Sequence, residues 1–330
     1  MNKKIVVTGA TGFIGSNLLA ELEKRGYEQI VAVDWFGKEG KWKNVAKRTK
    51  VYYLAPESLT EYIDENHDSI DCLIHLGAIS STTETDGDII VSTNYRLSVG
   101  LFEICYRWSI SFIYASSAAT YGNGEFGYID NSSLEFLANL RPMNLYGWSK
   151  NQTDLYITRK EGFNQDGTQI VGLRFFNVYG PNEYHKGSQK SIVEPFMNQL
   201  LTEGAIHLFK SNVEDLENGN QARDFIYVDD CVDVIIWFIK HKSVSGLFNV
   251  GTGEATTYNQ IAQYISEAIE RPCNIEYISM PENLLSQYQN FTCADLTKLR
   301  NIGYTKEMIS AKDGIRDYIQ NFLTKQDKYK

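Results

Sequence analysis

The sequence predicts an α/β fold, a doubly wound parallel sheet with a smaller C-terminal lobe, on three observations. Short β-branched runs alternate with stretches of helical spacing through the first half of the 330-residue chain, as parallel strands joined by crossover helices require. The turn "GATGFIG" (9–15) joins the first run to the first helix. Beyond about Asn177 the alternation gives way to polar loops, which marks a second lobe.

In chain order, "KKIVVTGA" (3–10) reads as a strand, "GFIGSNLLAELEKRG" (12–26) as a helix stopped at Gly26, and "QIVAVD" (29–34) as the next strand. Further strands are expected at "CLIHLGA" (72–78), "SFIYASS" (111–117) and "QIVGLRFFNV" (169–178), with helices around Val91 to Arg107 and Leu145 to Thr158. The loop "YGPNEYHKGSQKS" (179–191), an amphipathic stretch, a second loop "SNVEDLENGNQ" (211–221) and the short run "RDFIYVDD" (223–230) then build the smaller lobe. There the chain is expected to cross back to the first. No internal repeat or low-complexity linker divides the chain, and the last residues, "TKQDKYK" (324–330), read as a frayed, solvated tail.

Composition narrows the function. With 32 basic and 41 acidic residues the formal charge is −9, so no polycationic face is forced and nucleic acid is not an expected partner. Cys72, Cys105, Cys231, Cys273 and Cys293 are scattered, without CxxC or a neighbouring His cluster. That argues for reduced thiols in the cytosol, with no metal site and no disulfide framework. Lysines precede an apolar run at the start, as in a signal peptide, but the run breaks at Thr8. No stretch reaches the roughly 18 apolar residues of a membrane span.

The glycine turn carries the first chemistry. Gly9, Gly12 and Gly15 lie between a strand and a helix, where missing side chains let backbone N–H groups and the helix N-terminus approach a pyrophosphate. Asp34 closes the second strand, placed to accept from adenosine ribose hydroxyls and to repel a 2′-phosphate. Lys38, Lys41 and Lys43 follow and could neutralise such a phosphate. On these residues alone NAD and NADP both remain open.

The second chemistry lies at Tyr146 and Lys150, four apart and on one face of the expected helix. An ammonium beside a phenol favours phenolate and tunes it for proton transfer. "YASSAATYG" (114–122) adds Ser116 and Ser117 at the end of the preceding strand.

From the glycine turn through Ser117, Tyr146 and Lys150 the chain resembles the extended short-chain dehydrogenase/reductase family. The resemblance implies a Rossmann domain over 1–176 that binds NADP, with a return segment near 222–251, and a mainly substrate-binding lobe over 177–330. It selects Ser117 over Ser116 as the serine that holds the reacting hydroxyl. Family dehydratases carry an acidic pair next, where this chain has Ala118 and Ala119, so loss of water is disfavoured. "GAISSTTETDG" (77–87), "LRFFNVYGPNEYHKGS" (173–188), "FNVGTG" (248–253) and "YQNFTCADLTKLRNIGY" (288–304) are similar to the family's 6-epimerases of an ADP-linked heptose, enzymes that oxidise C6 to a ketone and return the hydride to the other face.

That resemblance implies two acid/base groups, Tyr146 and Lys186, because one fixed base is poorly placed on both sides of a carbon. Lys186 serves if part of it is neutral, which burial promotes. The cofactor contacts implied are Gly9, Gly12, Phe13, Ile14, Gly15, Asp34, Trp35, Lys41, Leu76, Gly77, Ala78, Ile79, Ser80, Thr93, Asn94, Lys150, Val178 and Lys186. The substrate contacts implied are Ser81, Ser117, Asn177, Ser188, Phe209, Arg223 and Tyr288. Arg223 has the donor fork for a diphosphate, with a structural pair to Asp224 or Asp229 as the alternative. NADP is the cofactor implied, ahead of NAD, although Trp35 stands where asparagine is frequent and weakens that preference. Assembly as a homo-oligomer, pentamers among the forms, is also implied. A 4-epimerase or reductase of another nucleotide sugar is the alternative enzyme. A binding protein without chemistry would be expected to lose Tyr146 or Lys150.

Overall fold

In the computed structural model, which describes residues 3–38, 40–160, 163, 167–282 and 288–330, the glycine turn follows β1 (Lys4–Thr8) and opens the helix Phe13–Lys24. The chain continues through β2 (Ile30–Val33), β3 (Val51–Leu54), β4 (Ile70–His75), β5 (Ser111–Ser117) and β6 (Ile170–Phe175). With a late strand, β10 (Gly246–Val250), these form one seven-stranded sheet in the order β10-β6-β5-β4-β1-β2-β3. Every neighbouring pair in it is parallel.

Strand periodicity decides which side chains meet which helices. Ile5, Val7, Ile30, Ala32, Cys72 and Ile74 pack with Leu18, Leu19 and Leu22 of the first helix and Val232, Ile235 and Phe238 of the helix Val228–Lys240. The alternate residues Val6, Val31, Val33, Leu73 and Phe112 pack on the other face against Leu59 and Ile63, Leu101 and Phe102, and Leu155 and Ile157. The doubly wound sheet expected from the sequence is therefore present, with apolar cover on both faces.

The strand expected over 169–178 is two. β6 ends at Phe175; the Phe176 amide still donates to Val250, but β7 (Asn177–Tyr179) pairs with β9 (Ala222–Tyr227). The run reads as one strand because its sequence carries no turn where it changes sheet. β9 and β11 (Ala255–Thr257) complete that three-stranded sheet, and β8 (Ile206–Phe209) with β12 (Ile275–Ile278) forms a two-stranded one. Tyr179, Val193, Phe196, Ile206, Phe225, Ile261, Ile265 and Ile315 make the core there.

Two other expectations change. The helix expected from Val91 starts earlier, at Gly87, and carries a π-helical segment over Val91–Arg96 before Leu97–Arg107. The tail is not frayed: Tyr184 donates to the Lys328 carbonyl at 2.7 Å, and the Lys330 amide donates to Asn182 at 3.0 Å. Among the described residues no helix is long and apolar enough to cross a membrane.

Candidate functional site

Strand order reverses between β1 and β4, the position at which open parallel sheets leave a crevice beyond their carboxyl ends. A cavity of about 700 Å³ lies there. Its floor is the glycine turn. Gly9 has φ +64°, and an added Cβ at Gly15 would stand 2.2 Å from the Gly9 carbonyl oxygen, so the loop closes only without side chains at these positions. The helix begins at Phe13 without a side-chain cap, leaving its first N–H groups directed at the space a pyrophosphate would need. The cradle fits a dinucleotide.

Around it the cavity gathers Phe13, Ile14, Asp34, Lys41, Leu76 to Ser81, Ser117, Tyr146, Lys150, Asn177, Val178 and Lys186. Asp34 is heavily engaged: Thr11 donates to it from its amide at 3.0 Å and its hydroxyl at 2.7 Å, and the Lys41 ammonium at 2.8 Å. Trp35 does not line the cavity. Its indole N–H donates to Glu57 at 2.7 Å. Thr93 and Asn94 stand outside as well. The Thr93 hydroxyl donates back to the Ile89 carbonyl. Asn94, fully buried, accepts from the Ile79 amide at 2.8 Å and donates to the Ile79 carbonyl and the Ser149 hydroxyl. It ties the 76–81 loop to the helix that carries Tyr146 and Lys150 without facing the cavity itself.

Tyr146 and Lys150 share a face of the helix Leu145–Lys160, with the ammonium 6.0 Å from the phenol ring centroid. Burial pushes the Tyr146 phenol up from its ordinary value, and the Ser117 hydroxyl bonded to it pulls the other way. This reverses the direction expected from the neighbouring lysine, because desolvation outweighs the local polar contacts. Lys150 is 2 % exposed, and burial lowers it to about 8 against the opposing charge of Asp154. Asp154 is held in a buried ion pair with Arg174 at 2.9 Å and accepts from Tyr114 and Ser116. Both serines line the cavity; Ser116 braces the strand end through Asp154, and Ser117 is the one bonded to Tyr146.

Lys186 comes from another direction, on the short turn Tyr184–Gln189. Its ammonium is 5.5 Å from the Phe13 ring centroid. Burial lowers its pKa, with Glu183 opposing. His185 is lowered to about 4 by burial and by Lys41 and Lys186, and its Nδ1 lies 3.1 Å from the Asn44 amide nitrogen. It is neutral at pH 7.

Phe209, Arg223 and Tyr288 form a second cluster that adjoins the cavity through Tyr258. The Arg223 guanidinium sits 5.2 Å from the Tyr288 ring centroid, Phe209 meets Tyr288 edge-on at 6.3 Å, and Tyr258 lies beside Tyr288. Neither carboxylate considered for Arg223 takes it. Asp224 accepts from Thr252, Gly253 and Ala294, and Asp229 pairs with Lys330. Ser188 is exposed on the Lys186 turn and does not line the cavity. Gln189, Lys190, Ser191 and Ile192 do, as do Phe225 and Tyr258. The first four directly follow the "HKGS" segment, which was the available signal; Phe225 and Tyr258 arrive by tertiary folding alone.

Residues 5–251 match the model of the NAD dependent epimerase/dehydratase family. A protein of Fusobacterium nucleatum named ADP-L-glycero-D-manno-heptose-6-epimerase is 43% identical, the match covering 98% of this chain and 99% of the relative. One of the same name from Nitratidesulfovibrio vulgaris is 42% identical over the same shares. Among solved structures, ADP-L-glycero-D-manno-heptose-6-epimerase of Helicobacter pylori superposes with TM-score 0.79 at 28% identity, covering 97% of this chain and 96% of that one. A UDP-N-acetylglucosamine 4-epimerase of Methanobrevibacter ruminantium gives 0.80 at 23% identity, covering 98% and 99%, a likeness of fold.

Proposed function

Since the chain belongs to the NAD dependent epimerase/dehydratase family, we propose that it is an isomerase that inverts C6 of ADP-D-glycero-D-manno-heptose to the L-glycero epimer, in the cytosol, as a source of heptose for lipopolysaccharide. The observation that carries this reading is that Tyr146 and Lys186 reach one cavity from different elements, beside a dinucleotide cradle. The names of relatives 42 and 43% identical over nearly the whole chain support the substrate.

A nicotinamide bound on the cradle supplies reversible hydride acceptance, which lets a secondary alcohol pass through a ketone. The chain's own residues handle the rest. Ser117 holds the C6 oxygen and Tyr146 exchanges its proton on one side, with Lys150 stabilising the charge that the phenol develops. Lys186 serves the other configuration. Its depressed pKa keeps a larger neutral fraction than an exposed lysine has. Asn177 and Ser81 would hold the sugar, and Arg223 with Phe209 and Tyr288 the diphosphate end; Ser188, exposed outside the cavity, takes no part. We assign residues 1–176 and the return near 222–251 to cofactor binding and most of 177–330 to substrate. NADP is the preferred cofactor in this reading, Lys41 being the cation beside the ribose site, and the enzyme is a homo-oligomer.

The test is incubation of the purified protein with ADP-D-glycero-D-manno-heptose without added nicotinamide, followed by NMR of C6. Equilibration of the two epimers is expected. An inert sample, with the cofactor-loaded protein inert too, overturns the substrate and redirects the search to other nucleotide sugars.

A further inference from the structure

The turn that carries Lys186 is braced from behind by the last residues of the sequence given. Exposure, high over Thr324–Asp327, falls again at Lys328, Tyr329 and Lys330. The cause is Tyr184. Its hydroxyl donates to the Lys328 carbonyl at 2.7 Å, its ring lies 4.1 Å under the Lys328 ammonium, and the Tyr329 ring meets it edge-on at 5.2 Å. Lys328 also reaches Glu194 at 3.2 Å, and Glu194 pairs with Lys190 at 2.7 Å. On the other side Lys47 holds Asp327 at 2.8 Å and the Tyr329 carbonyl at 2.6 Å.

These contacts close on the base of the turn. Asn182, in the left-handed region at φ +73°, accepts from the Lys330 amide and donates to Ser16 of the first helix at 3.0 Å. Buried Glu183 accepts from the Ser191 amide and hydroxyl, both at 2.6 Å, and so joins the turn's two ends. A turn of six residues has little rigidity of its own; this one is clamped at its base by Glu183 and covered by Lys328 and Tyr329.

We propose that residues 327–330 act as a strap that positions Lys186 for proton transfer, with Tyr184 as the anchor and Tyr329 and Lys328 as the positioning residues. The inference rests on the reading of Lys186 as an acid/base group. None of the strap residues lines the cavity. Its effect is to keep Lys186 against Phe13 and out of bulk water. The charged and titratable groups around Lys186 are Glu183 at the head of its turn, His185 on it and Lys190 just after it, Lys41 and Asp34 beyond His185, and Tyr146 and Lys150, the last four lining the same cavity. Loosening the strap hydrates Lys186 and returns its pKa toward that of a free lysine.

The test compares Lys328→Ala/Tyr329→Ala with Tyr329→Phe, which keeps the ring. Lys186 acylation by a small anhydride, followed by mass spectrometry across pH, reads its pKa without any sugar. The double variant should label with a pKa above that of the unaltered enzyme, with kcat reduced about tenfold, KM and cofactor affinity nearly unchanged, and the rising limb of the pH profile moved upward where Lys186 takes the proton. Tyr329→Phe should restore all three. An unchanged labelling profile and kcat in the double variant overturn the strap. If the labelling shifts while the unaltered enzyme leaves ADP-heptose unconverted, the strap stands and the substrate assignment falls.

Discussion

A carboxylate whose lone pairs are already taken discriminates by what holds it, and Asp34 is held by Thr11 and Lys41. A 2′-phosphate can draw Lys41 away, leaving Thr11 to hold Asp34. Lys41→Ala should therefore weaken NADP binding by about tenfold, the worth of one charged contact, and NAD binding much less; calorimetric titration with both dinucleotides checks this. Tyr146→Phe and Lys186→Met should each lower kcat by about a hundredfold or more, the usual range for an acid/base group, with thermal unfolding unchanged. Near-normal turnover in either removes that residue from the pair. Tyr146, Lys150 and the glycines stood out as candidates because their chemistry depends on local spacing, whereas Lys186 stood out only through the family resemblance. What escaped was set by surroundings. Desolvation moves Tyr146 opposite to the lysine's pull, and Trp35 turns to Glu57, which no local pattern announces.

Between elements, the connection that matters most is His75, buried at the end of β4. The Thr8 hydroxyl at 2.6 Å from its Nδ1 ties it to β1, and Ser98 at 2.9 Å from its Nε2 ties it to the helix Leu97–Arg107. Ser98 donates to the Asn94 carbonyl, so it accepts from Nε2, and Nδ1 is left to accept from Thr8. The neutral ring satisfies both neighbours. Burial and the charge of Lys150 lower His75 to about 3 from an unfolded value near 6.5. The unfolded chain then binds the extra proton between these limits, so stability rises with pH through this window and is lost on acidification. The slope from this group is about 1.4 kcal/mol per pH unit. Urea unfolding from pH 7 to pH 5 should show that loss, and His75→Asn should flatten it; an equal slope in the variant would count against the assignment. Elements with period-2 or helical patterning were readable, whereas the break between β6 and β7 was not, since the run crosses from one sheet to the other without a turn residue.

At the scale of the molecule, the alternation of strands and helices was enough to predict the doubly wound sheet, because the crossovers from β1 to β6 follow one another along the sequence, and only β10 is supplied from beyond the other lobe. The order in which the edge is completed was only partly legible. A return near 222–251 was expected. Within that stretch β9 stays in the smaller sheet, while the helix Val228–Lys240 and β10 join the large one. The difference follows from burial. β9 is covered on both faces in its own sheet, and β10 is the partner that β6 lacks until Gly246–Val250 has been made. During synthesis the seven-stranded sheet therefore waits, its β6 edge open, through some seventy residues of the other lobe. On the ribosome the two lobes are not made one after the other as separate folding units. The seven-stranded sheet closes only after much of the smaller lobe has emerged, and until then β6 is the strand most exposed to pairing with a neighbouring nascent chain.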